Sequence, residues 1–289
     1  MMTERQGRHV TGGGGTKIYV EETGPRESQS VLFIHGISQC RLSWEAQFTS
    51  DLAGDYRLAA MDLRGHGLSE RPYAAYADGA LWADDVQAVI EDLELVKPVV
   101  VAWSYGGLVI SDYLRHYGPD RLAGVVMVGA ATRTGTPSSL HDVGPRFLEV
   151  APGLCSDAVE TCVASLEMLA HLTTHRPLPP EVYYASLGYS VIVPPHARYA
   201  MLTRVVDNDD LLRTLDLPVL MVHGQDDQII LPHASEHRAT LMPRARTSWY
   251  PATGHAPFYE DAPRFNGELR SFLNTVLDAA ETVATRRTA

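Results

Sequence analysis

The sequence predicts an α/β fold built on a mostly parallel sheet with helices on both faces. Three observations predict it. Strand-like and helix-like stretches alternate along most of the chain. Several strand-like stretches are apolar without interruption, as strands buried on both faces are. The alternation breaks once, between residues 134 and 206, and then resumes.

The elements follow in order. Residues 17–22 (KIYVEE) alternate, as a half-exposed strand does, and residues 31–35 (VLFIH) form a fully apolar strand. Gly12 to Gly15 before them fit a hairpin turn. They do not fit a dinucleotide-binding loop, because neither the spacing nor a strand-turn-helix context is there. Residues 57–61 are a third strand. Residues 81–96 place Trp82, Val86, Val89, Ile90, Leu93 and Val96 at helical spacing. Asp84, Asp85, Glu91, Asp92 and Glu94 take other positions, and Asp78 suits the N-cap. Residues 98–103 read as a strand, 105–117 as a helix stopped by Gly118-Pro119, and 125–128 as the next strand.

Residues 134–206 hold helical fragments, five prolines (Pro177, Pro179, Pro180, Pro194, Pro195) and Tyr183, Tyr184, Tyr189 and Tyr199. That stretch reads as an insertion rather than part of the sheet. Alternation returns with strands at 218–223 and 246–250 and helices at 233–241 and 262–279. The polar tail 281–289 should fray. The expected organisation is a core of residues 1–133 and 207–289, split by a mainly helical cap at 134–206.

Composition narrows the function. The chain has 289 residues, 45% hydrophobic and 20% charged, so it can bury a core without disulfide or metal staples. The formal net charge of −11 opposes nonspecific binding to nucleic acid or anionic membrane. No apolar run is long enough for a membrane span, and the polar start shows no secretory leader, so a cytoplasmic location is expected. Cys40, Cys155 and Cys162 lack metal-site spacing and read as buried free thiols. His233, Glu236 and His237 match H-x-x-E-H. Pro232 suits a first helical turn there, which puts them on an outer helix, so no metal site is expected. The expected partner is a small molecule. Oligomeric state is not encoded legibly.

The strongest local signal is Val99-Val100-Val101-Ala102-Trp103-Ser104-Tyr105-Gly106-Gly107. A buried strand runs into a serine and a helix follows at once. So sharp a turn brings the backbones two residues before and after the serine together. Both positions must be small, and they are Ala102 and Gly106. The turn lifts the Ser104 hydroxyl out at the C-terminal sheet edge, beside a helix N-terminus. A serine nucleophile needs a base, and the base needs an orienting acid. Two further strand-end loops reach the same edge, one carrying Asp226 and Asp227, the other Gly254-His255.

In this arrangement the sequence resembles the α/β-hydrolase superfamily over about residues 17–279. Further matching motifs are His35-Gly36, the stretch from Asp62 to Ser69 (DLRGHGLS), His223-Gly224-Gln225-Asp226-Asp227, and Gly254-His255 followed by Glu260-Asp261-Ala262-Pro263. The resemblance implies an eight-stranded sheet, a Ser104 nucleophile, a His255 base and an Asp227 acid, with Asp226 as the alternative acid. It implies an oxyanion hole from the backbone N–H groups of Ile37 and Tyr105, and no cofactor. His35 and the 62–69 loop would shape that hole. Trp44, Trp103, Tyr183 and Tyr184 are candidates for the substrate pocket.

The expected activity is hydrolysis of a small apolar or aromatic carboxylic ester through an acyl-serine. The details at 226–228 resemble cofactor-free esterases and perhydrolases of the non-haem chloroperoxidase type. Perhydrolase, carbon–carbon bond hydrolase and lactonase chemistry would use the same triad. A noncatalytic ligand receptor on this fold is the alternative from another class.

Overall fold

The computed structural model describes the backbone of residues 5–288 and side chains as far as Leu277. The start of the chain, Met1 to Glu4, on which the reading of a leaderless terminus partly rests, lies outside the described residues.

Eight strands form one sheet: β1 (Gln6–Thr11), β2 (Lys17–Thr23), β3 (Ser30–Ile34), β4 (Arg57–Met61), β5 (Val99–Trp103), β6 (Gly124–Val128), and, after residues 134–206, β9 (Val219–Gly224) and β10 (Ala245–Tyr250). Their spatial order is β1-β2-β4-β3-β5-β6-β9-β10. The β1–β2 and β2–β4 pairs are antiparallel and every other pair is parallel. The Gly12 to Gly15 stretch is the expected hairpin, with Gly14 at φ 62° and Gly15 at φ 80°. The central strands β3, β4, β5 and β6 are buried at every position, which explains why their sequences do not alternate.

Helices cover both faces. Short α1 (Glu45–Phe48) and α2 (Leu52–Asp55) precede β4, and α3 (Gly79–Asp92) and α4 (Gly106–Tyr117) flank β5. On one face Val86, Val89 and Ile90 of α3 pack with Leu108 and Val109 of α4. On the other, Phe33, Trp44, Trp103, Phe258 and Phe272 form a second cluster. Asp78 caps α3 through the Ala80 N–H at 2.9 Å. The helix stops at Asp92, short of the expected residue 96. Glu94 and Lys97 adopt left-handed backbone (φ 52° and 41°) to swing the chain into β5, leaving Val96 80% exposed.

The 134–206 stretch contains α5 (Pro137–His141), α6 (Pro145–Leu154), α7 (Val159–Thr173), α8 (Pro180–Val191) and α9 (Pro195–Leu202). Four of the five begin with proline at the first turn, where its missing N–H costs nothing. The ends of the stretch meet in a two-stranded ribbon of β7 (Arg133–Thr134) and β8 (Val206–Asp207). Phe147, Leu154, Leu166 and Leu169 form a small core with Ile229 and Ile230 of the loop after β9. The chain closes with α10 (Asp209–Thr214), α11 (Pro232–Leu241), α12 (Pro257–Glu260) and α13 (Ala262–Thr288). The tail expected to fray continues α13 to Thr288.

Candidate active site

The turn at Ser104 is built from backbone contacts. Ser104 sits at φ 55°, in the left-handed region, a strain worth about 1–3 kcal/mol. Its N–H donates to Val128 O (3.0 Å), and its carbonyl accepts from Gly107 N–H and Ala131 N–H (2.9 Å each). These bonds hold the strain in place. A Cβ on Gly106 would meet Ile34 O at 2.8 Å, and one on Gly36 would meet Ser104 Cβ at 2.8 Å. The small residues therefore let the β5–α4 turn and the loop after β3 press together. Ser104 Oγ has no hydrogen bond among the described residues, and the residue lines a cavity of about 200 Å³.

The loops after β9 and β10 bring a carboxylate and an imidazole to that edge. His255 Nδ1 lies 2.6 Å from Asp227 Oδ2. Asp227 Oδ1 accepts from the N–H groups of Ile229 (2.8 Å) and Ile230 (3.1 Å). His223, fully buried, places Nε2 at 3.1 Å from Asp227 Oδ2 and 2.8 Å from Ile230 O. That nitrogen faces two acceptors, so it carries the hydrogen. Burial alone would push the Asp227 carboxyl up. The charge of His255 and the hydrogen bonds from His223 and His255 outweigh burial and hold it well below the usual carboxylate range. Asp226 points elsewhere, its Oδ2 3.4 Å from His175 Nδ1. With Nδ1–H given to Asp227, His255 Nε2 is an acceptor. It is buried, it has no partner among the described residues, and His255 lines the same cavity as Ser104.

The loop after β3 is held by two neutral histidines. His35 Nδ1–H donates to Gly36 O (2.7 Å), and its Nε2 accepts from Leu63 N–H (3.0 Å). His66 Nδ1–H donates to Arg64 O (2.9 Å), and its Nε2 accepts from Ser38 N–H (3.1 Å). Burial pushes His35 down to about 4 and His66 to about 3. Asp62 ties the same loop down by accepting from Arg41 N–H (2.7 Å) and Leu68 N–H (2.8 Å). Among the described residues the N–H groups of Ile37 and Tyr105 have no acceptor, and both residues line the Ser104 cavity.

The aromatic candidates divide. Trp103 lines the cavity, and its Nε1–H donates to His255 O at 2.8 Å. Trp44 does not line it. Its ring is fully buried in the core against Phe258 (4.3 Å) and Phe33 (5.0 Å). Tyr183 stacks on His171 (5.2 Å), Tyr184 is 70% exposed, and neither lines the Ser104 cavity. The inward face of α8 carries Val182, Ala185, Ser186 and Tyr189 instead. The H-x-x-E-H residues are engaged separately: His233 with His141 O, and His237 with Asp209, each at 2.8 Å.

Sequence reasoning missed Glu260. Its two oxygens accept from Gly254 N–H (2.7 Å) and His175 N–H (2.7 Å), and Thr173 O accepts from His255 N–H (2.9 Å). The C-terminal end of α7 is thereby latched onto the loop that carries His255. Burial raises the Glu260 carboxyl, against the lowering effect of these N–H donors. Glu260, five residues beyond His255, was visible as part of a motif, but its partner His175, 85 residues upstream, was not.

Comparison with known proteins agrees with this architecture. The chain is 28% identical over 282 residues to a non-heme chloroperoxidase of Streptomyces lividans, covering 92% of this chain and 99% of that protein. It is 26% identical to a bifunctional esterase/perhydrolase of Acinetobacter calcoaceticus, again covering 92% and 99%. Among solved structures, an esterase from Rhodococcus sp. ECU1013 superposes with a TM-score of 0.88 at 37% identity, covering 93% of this chain and 99% of that one. An esterase from Exiguobacterium antarcticum gives 0.84 at 26%, covering 93% and 100%. The family model described as the alpha/beta hydrolase fold matches residues 29–262, and the chain belongs to that family.

Proposed function

We propose that this protein is a serine hydrolase that cleaves carboxylic esters through an acyl-enzyme, with Ser104, His255 and Asp227 as its triad. One observation carries the assignment. His255 gives Nδ1–H to a carboxylate at 2.6 Å and keeps an unpartnered Nε2 on the cavity lined by a serine in strained left-handed backbone. His255 Nε2 takes the Ser104 proton as Oγ attacks the ester carbonyl. The C=O electron pair moves to oxygen, which rests on the N–H groups of Ile37 and Tyr105. As the tetrahedral centre collapses, the C–O bond to the alcohol breaks and His255 returns the proton to the leaving oxygen. Water then repeats the sequence on the acyl-serine and releases the acid.

Residues 134–206 act in this reading as a lid. Val143, Phe147, Leu169 and Leu202 supply apolar wall opposite Ser104, which suits an acyl group without charge. Relatives named as chloroperoxidases and as an esterase/perhydrolase favour a second reading, in which peroxide in place of water intercepts the acyl-serine. Hydrolysis of 4-nitrophenyl acetate by wild type and Ser104→Ala tests the main reading. The variant should lose at least about a thousandfold in kcat. Undiminished turnover would sink it. Peroxide-dependent peracid formation, measured in the same preparations, separates the two chemistries.

A further inference from the structure

A second cavity, of about 490 Å³, adjoins the Ser104 cavity and shares Gln39, Trp103 and Thr173 with it. It is the larger of the two. One wall is the start of α1 with the turn before it, including Leu42 and Ala46. The opposite wall is one face of α8, formed by Val182, Ala185 and Tyr189 at helical spacing. Its floor includes Ala256, directly after His255, and Phe258. Ser104, Ile37, Tyr105 and His255 line only the smaller of the two cavities.

That placement separates the two halves of an ester. The carbonyl carbon must sit against Ser104 with its oxygen on Ile37 and Tyr105, inside the smaller cavity. The leaving oxygen must face His255 to receive its proton. The larger cavity is lined by Ala256, next to His255, and by Trp103 and Thr173, which hydrogen-bond the His255 backbone, whereas neither oxyanion donor lines it. We propose that it is the leaving-group subsite, so that the protein takes esters joining a short acyl group to a bulky, apolar alcohol or phenol. This rests on the triad assigned above.

The charges on the walls narrow the class further. The charged residues lining the cavity are Glu45 and Glu181. Glu45 is matched by Arg5 through two hydrogen bonds of 2.7 Å. Glu181 has no ion pair among the described residues, and its charge adds to burial in raising the Tyr259 phenol. An anionic leaving group would meet Glu181 uncompensated, so neutral and cationic ones are favoured.

The test compares three substrates, ethyl acetate, 1-naphthyl acetate and ethyl hexanoate, in wild type and Ala185→Trp. The indole should fill the cavity. The ratio of kcat/KM for 1-naphthyl acetate over ethyl acetate should fall at least tenfold, while the ratio for ethyl hexanoate over ethyl acetate stays within about twofold. A fall in the hexanoate ratio instead would place the acyl group there and overturn the assignment, as would two unchanged ratios. Ala46→Trp repeats the test from the opposite wall should Ala185→Trp not fold. Glu181→Gln should lower KM for 4-acetoxybenzoate at least threefold at low salt and leave the 1-naphthyl acetate to ethyl acetate ratio unmoved. An unchanged KM for the anionic ester would remove Glu181 from the proposal. Failure of the triad reading is distinct: Ser104→Ala would then hydrolyse all three esters at wild-type rates.

Discussion

Acid should destabilise the fold through the buried His66, which holds the loop after β3. His66 is fully buried and neutral, its Nε2 accepting from Ser38 N–H at 3.1 Å. Protonation would set a second N–H against that donor. Folded, the ring titrates near about 3 rather than at the ordinary 6.5. The unfolded chain therefore binds the proton that the folded chain refuses, and stability falls as pH drops from about 6.5 towards 3. At pH 5.0 the solution is about 1.5 pH units below the ordinary value of an unfolded histidine. At about 1.36 kcal/mol per pH unit, refusing that proton costs about 2 kcal/mol. Other groups also titrate in this range, so the measurement must isolate His66. Urea unfolding of wild type and His66→Gln at pH 7.5 and 5.0 does so, because the glutamine oxygen can still accept but cannot titrate. Wild type should lose about 2 kcal/mol more than the variant between the two pH values. With an m value near 3 kcal/mol per molar, that is about 0.7 M in urea midpoint. Parallel losses in the two proteins would refute the reasoning.

Two further outcomes follow from the hydrogen bonds. Asp227→Asn turns an amide N–H or a weaker acceptor towards His255 Nδ1, so kcat should fall by about 10³–10⁴ with KM little changed. Asp226→Asn, whose oxygen faces His175 at 3.4 Å, should stay within about twofold, and steady-state kinetics of the pair decides which aspartate matters. Glu260→Ala strands the N–H groups of Gly254 and His175. Thermal or urea unfolding should show a loss of about 1–3 kcal/mol, and kcat should drop more than KM rises, because His255 loses its tether to α7. An unaltered kcat would show that the latch serves only stability.

The parts of the fold legible in the sequence are those set by local rules. The buried strands around Ser104 show as unbroken apolar runs. The sharp turn shows as Ala102 and Gly106, because a collision between backbones admits only small residues there. Asp78 announced its helix. What the sequence did not show depends on contacts between distant segments. Nothing near Trp44 signals that Phe258 and Phe33 enclose it. On α8 a shift of a few residues decides which face is inward. Tyr189 therefore lines a wall while Tyr183 and Tyr184, in the same tyrosine-rich stretch, do not. Glu260 acts through backbone groups at Gly254 and His175, which carry no side-chain signature. The helix end at Asp92 was hidden because Val96 keeps the apolar period while its backbone has already turned away.

The central claim is that Ser104 is the nucleophile and that His255, held by Asp227, activates it. The most direct measurement is intact-protein mass spectrometry after exposure to a fluorophosphonate, with the adduct located by peptide fragmentation. The account predicts a single adduct on Ser104 in wild type. It predicts labelling at least a hundredfold slower in His255→Gln under conditions where that variant is folded. An unlabelled wild-type protein, an adduct on another residue, or equal labelling rates in the two proteins would contradict it.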